Sequence, residues 1–127
     1  MTTEPKSHSM ANLGELLKQE AEKYFSRDVV ILKAGQNLKL GTVVAKLKED
    51  ERIVALDLTA TTGAETAYGV LIQDTDATTG DKETIIVARD ATFASNALIW
   101  PTAITAQEKT TVTNQLKECG ILIRKAI

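Results

Sequence analysis

From Asp28 to Ile127 the chain is divided into short apolar runs of nearly even spacing, and this rhythm constrains the fold more than any other feature. DVVIL (28–32), TVVAKL (42–47), RIVALDL (52–58), AYGVLIQ (67–73), TIIVA (84–88) and ATFAS (91–95) are each of strand length, and most are rich in β-branched residues. Between them lie turn-rich or charged segments: KAGQNLKLGT with Gly35 and Gly41, KEDE, TATTGAET around Gly63, and DTDATTGDKE. Five or six short strands so spaced predict a small β-barrel or sandwich, with ATFAS as an edge strand.

Two segments break the strand rhythm. In MANLGELLKQEAEKYFSRD, the apolar residues Leu13, Leu16, Leu17, Ala21, Tyr24 and Phe25 suit one face of a helix, and Asn12 with Glu15 suits its start. Gly14 weakens that helix, and one so short needs a surface to lie on. After Pro101, Thr105 and Glu108 form a capping-box pattern, Val112, Leu116 and Cys119 lie on one helical face, and Gly120 falls at the C-cap position. ILIRKAI then returns to a strand, so the fold class is mainly β with one C-terminal α-helix.

The chemistry of catalysis is missing from this pattern. The single histidine, His8, sits in the polar tail MTTEPKSHS, away from any partner a nucleophilic triad would need. One histidine and one cysteine cannot complete a tetrahedral metal shell. Cys119, on the apolar helix face, reads as a small buried hydrophobe. DTDATTGDKE places Asp74 and Asp76 like calcium ligands, but its glycine comes one place late at Gly80 and Ile85 stands where the closing glutamate belongs. Asp57 and Glu65 lie in or near loops with no partner for acid–base work, and AGQNLKLGT lacks the Lys-Ser/Thr ending of a phosphate loop. No enzyme, cofactor or metal is expected.

Charge excludes another class. A net charge of −2 is opposite to a nucleic-acid footprint, and the clusters Lys33/Lys39/Lys46/Lys48 and Arg124/Lys125 have no interleaved aromatics, so both read as solvated faces. No apolar run approaches the length of a membrane span, and the N-terminus carries no apolar signal core.

Two blocks then resemble the bacteriophage head decoration protein family of the lambda head protein D type. In the first, Gly14-Glu15-Leu16-Leu17-Lys18 is similar to the family's N-terminal arm, Ser26-Arg27-Asp28-Val29 to the start of its first strand, and Gly35-Gln36 through Leu38 to Gly41-Thr42-Val43 to the turn and strand that follow. In the second, Thr62-Gly63-Ala64 and Gly69-Val70-Leu71 match its loop and strand, and Ile99-Trp100-Pro101 matches its L-W-P signature, with Ile99 for leucine.

The resemblance, covering about residues 13–127, implies a homotrimer on the outer surface of the virion, made in the host cytoplasm. It would bind the major capsid protein of the expanded head and brace the shell against packaged DNA. It divides the chain into an N-terminal tail and capsid-binding arm, residues 1–27, and a β-rich domain, residues 28–127. Leu13, Gly14, Leu16, Leu17, Tyr24 and Phe25 would carry the arm's contact. The resemblance thus implies an extended arm that adds a strand to the capsid protein's sheet, where periodicity alone expects a helix. An alternative from another class is a small β-barrel accessory domain that binds a ligand or a cellular protein.

Trp100, the only tryptophan, precedes Pro101, which restricts it to extended geometry and so aims the indole. It reads either as a core anchor beneath the C-terminal helix or as a contact around a three-fold axis.

Overall fold

The structure, a computed structural model, describes residues 13–20, 26–102 and 104–124. His8, Asn12, Ala21, Tyr24, Phe25 and Lys125 lie outside them.

Five strands close a barrel: β2 (Arg27–Leu32), β5 (Ile53–Ala55), β4 (Val43–Lys46), β6 (Ala67–Leu71) and β8 (Lys82–Val87), in that order around it. The longest seam is antiparallel, β2 on β8 from Arg27↔Val87 to Leu32↔Lys82. The shortest is parallel, where β2 meets β5 at Leu32↔Ile53 and the Lys33 N–H donates to the Ile53 carbonyl at 3.0 Å. Past that point the Gln36 side chain replaces a strand: its Oε1 accepts the Ala55 N–H at 3.1 Å.

β4 explains why two cores form. Side chains alternate across a strand, and Val43, Val44 and Ala45 are all buried. Val44 points into the barrel with Leu32, Ile53, Leu71 and Ile86. Val43 and Ala45 point outward into a larger core with Leu16, Val70, Phe93, Val112, Leu116 and Ile121. Helix α2 (Ala106–Glu118) and a second sheet cover that outer side of the barrel.

The second sheet has the order β1 (Leu17–Glu20), β9 (Ala91–Ala94), β10 (Ile121–Arg124). β9 runs antiparallel to β1 and parallel to β10, with α2 as the crossover that parallel neighbours require. ATFAS is therefore a central strand, contrary to the sequence expectation. All four residues of β9 are buried, which leaves no solvent face to give the alternation of an edge. Strand β3 (Asn37–Leu38) pairs with β7 (Thr75–Asp76), so part of the predicted DTDATTGDKE loop is a ribbon. RIVALDL shortens to Ile53–Ala55, because the Leu56 N–H still reaches Val43 while Asp57 turns to cap Thr59.

α2 follows its sequence signals. Thr105 Oγ1 accepts the Glu108 N–H and Glu108 Oε1 accepts the Thr105 N–H, both at 3.0 Å. Val112 and Leu116 are buried, Cys119 caps the C-terminus half-buried rather than buried, and Gly120 has the left-handed φ of 85° that a C-cap glycine adopts.

Among the described residues, the expected N-terminal helix keeps one turn, α1 (Leu13–Leu16), and residues 17–20 extend as β1 instead; the rest of it, residues 21–25, lies outside the described residues. Gly14 weakens a helix that is already too short to stand alone. Pairing with β9 satisfies the backbone instead, as Leu17↔Phe93, Gln19↔Thr92 and Glu20↔Ala91.

Candidate binding surfaces

Three regions of the surface are distinctive. The first is the N-terminal segment. Leu16 is 0% exposed within the larger core, and Leu13 and Leu17 pack against that core half-buried. Of the sequence-predicted arm residues, these three are held by the domain itself. Gly14 lies inside α1.

A polar clasp fastens the far end of β1. Glu20 accepts Arg27 Nε at 2.8 Å and Nη2 at 2.9 Å, a bidentate pair, and also the Ser26 hydroxyl. Both partners are largely covered, and hydrogen bonding to Glu20 raises the Arg27 pKa above its ordinary value. Sequence reading missed this clasp, because only the fold brings Glu20 beside Arg27. Arg89 makes a similar contact with Asp28 at 2.9 Å, which raises its pKa as well, and the Tyr68 hydroxyl donates to the same carboxylate at 3.3 Å.

The second region is the junction Ile99-Trp100-Pro101. The Ile99 N–H donates to Gly41 at 2.8 Å and the Ile99 carbonyl accepts from Val43 at 3.2 Å, so the segment is stitched to the start of β4. Gly41 has a φ of 97°, and a Cβ there would stand 2.6 Å from the Ala97 carbonyl oxygen, so the close approach depends on glycine. Trp100 is half-buried against the larger core, with the Lys109 ammonium 5.5 Å from its ring centre. It also lines, with Pro101, a groove of about 560 Å³ bounded by Leu38, Lys39, Leu56 and Asp57.

The third region is the outer face of β2. Val29 is 65% exposed and Ile31 38% exposed, side by side at alternate positions, with Ile85 paired to Val29 on β8. The signal was present in DVVIL: a barrel strand has one inner face, so an uninterrupted apolar run must turn half its side chains outward.

The loop carboxylates fasten the protein's own turns. Asp57 accepts the Thr59 hydroxyl and N–H, and Asp76 those of Thr78; these bonds, hydroxyl first, lower both pKa values. Asp74 accepts the Leu40 N–H at 2.7 Å, and Glu65 accepts the Gly63 N–H at 2.9 Å. Lys33 pairs with Asp50, and Lys46 lies over Tyr68. No helix among the described residues is long and apolar enough to cross a membrane.

No curated protein matches the chain significantly. The family model of the bacteriophage lambda head decoration protein D matches residues 7–121, nearly the whole length, including the stitched Ile99-Trp100-Pro101 junction and the capped helix. With a barrel whose exposed carboxylates serve its own turns and whose strand β2 shows bare valine and isoleucine on its outer face, the chain belongs to the bacteriophage lambda head decoration protein D family.

Proposed function

We propose that this protein works as a homotrimer that binds the major capsid protein and braces the filled head against the pressure of its DNA. Family membership brings with it a structural role, capsid decoration, and a position on the outer surface of the virion head. The match over residues 7–121 is the observation that carries the reading.

The N-terminal arm, residues 1–27, supplies the capsid contact in this reading. Leu16 belongs to the core and is not offered to a partner. The contact falls instead to β1, an edge strand of its sheet among the described residues, to which an extended capsid segment can add in register. The bare Val29–Ile31 face supports a subunit contact, since exposed apolar patches mark association sites. Trp100 acts as the anchor that joins barrel to helix rather than as the three-fold contact.

The test has two parts. Light scattering should give three times the 13.7 kDa chain mass, and a monomer at every concentration would remove the trimer. DNA-filled heads saturated with the protein should retain their DNA to a higher temperature than bare heads; equal release temperatures would remove the bracing role.

A further inference from the structure

The groove beside Trp100, about 560 Å³, falls within the range of small-ligand sites, about 300–1,000 Å³. Its apolar part is formed by Leu38, Leu56 and the half-buried indole. The indole is held firmly. Pro101 restricts the Trp100 backbone, and Ile99 is bonded to Gly41 and Val43 on the other side. Such a platform loses little freedom when a ligand settles on it.

Polar groups converge on the same space. Gln36 Oε1 accepts the Ala55 N–H at 3.1 Å, which fixes the amide and leaves its Nε2 as a donor of two hydrogens. Asn37 and Lys39 line the groove exposed, one offering an amide and the other an ammonium. Asp57 accepts two bonds from Thr59, at 2.7 and 3.0 Å, which hold its pKa low; a carboxylate has further acceptor sites for a ligand.

These features limit the ligand. One base and one acid leave the lining without net charge, so neither a phosphate nor a polycation is favoured. A wholly apolar ligand would strip water from the amides and the carboxylate without replacing its bonds. A sugar ring meets both demands, because its C–H face is apolar and its edge carries hydroxyls that donate and accept.

We propose that this groove binds a neutral saccharide. A ring packs its C–H face on the Trp100 indole, and its hydroxyls bond to Gln36 Nε2, Asn37, Lys39 and Asp57. This goes beyond head binding and needs only the free protein, so the two readings fail independently.

Trp100, the only tryptophan, reports on the groove by its own fluorescence in the full chain. The probes are three neutral trisaccharides, maltotriose, cellotriose and chitotriose, with xylitol as an acyclic polyol that has hydroxyls but no ring face. At least one trisaccharide should change the emission saturably in the millimolar range, and xylitol should not. Asn37→Ala and Lys39→Ala, at exposed positions, should each weaken that binding about fivefold, the loss of one hydrogen bond, with melting unchanged. No saturable change with any of the three trisaccharides would overturn the proposal, and so would an equal response to xylitol. Affinity unchanged in both variants would also overturn it, because the sugar would then be bound elsewhere.

Discussion

Leu16 is the residue on which the N-terminal segment's attachment turns, and Leu16→Ala measures it. The side chain is 0% exposed in the larger core, the same core as Phe93, Val112, Leu116 and Ile121. Truncation removes three carbons, worth about 2.4 kcal/mol of transfer at ~0.8 kcal/mol each. The cavity left between barrel, helix and second sheet adds to this, so the expected loss is about 3–4 kcal/mol. Leu13→Ala and Leu17→Ala, each half-buried, should lose less, about 1–2 kcal/mol. Urea unfolding at several protein concentrations reads these differences and separates subunit dissociation from unfolding. A Leu16→Ala loss below about 0.5 kcal/mol, with Leu17→Ala equal to it, would show that the segment is not part of the core.

Further outcomes follow from the same structure. Glu20→Gln breaks the bidentate clasp on Arg27 and should cost about 1–3 kcal/mol in urea unfolding. Gly41→Ala must move the Ala97 carbonyl or distort a φ of 97°, so its melting temperature should fall by several degrees, about 1 kcal/mol or more. Asp50, Asp57, Glu65 and Asp76 all have folded pKa values below their ordinary ones, through backbone N–H bonds at Asp50 and Glu65 and threonine hydroxyls at Asp57 and Asp76. Their contribution is complete above the unfolded values, near pH ~4, and is lost as pH falls through the folded ones, so the melting temperature should hold above about pH 5 and decline below about pH 4. Cys119→Ala, half-buried at the helix end, should cost about 1 kcal/mol or less and leave head binding intact.

How far the sequence could be read depended on how local each signal was. The capping box Thr105/Glu108, the C-cap at Gly120 and the strands of the barrel are stated within a few consecutive residues, and they appear where expected. β9 is central where an edge is expected, because ATFA shows no alternation and its burial comes from β1 and β10, distant in the chain. Residues 13–20 kept a helical spacing yet became one turn and a strand, because pairing with Ala91–Phe93 satisfied a backbone that a short glycine-containing helix would not. At the candidate surfaces, Trp100 and Pro101 could be singled out by rarity and stiffness. The groove they line could not, since Leu38, Leu56 and Asp57 meet them only through the barrel's incomplete β2–β5 seam and the stitch from Ile99 to Gly41. The clasp between Glu20 and Arg27 was invisible for the same reason.

Head decoration itself is tested most directly by sedimenting the protein with expanded, empty phage heads of its own phage. The account predicts saturable binding, with the protein in the pellet at a fixed ratio to the major capsid protein and exposed to protease added outside the heads. Protein that stays in the supernatant at all concentrations, with its fold intact, would contradict it.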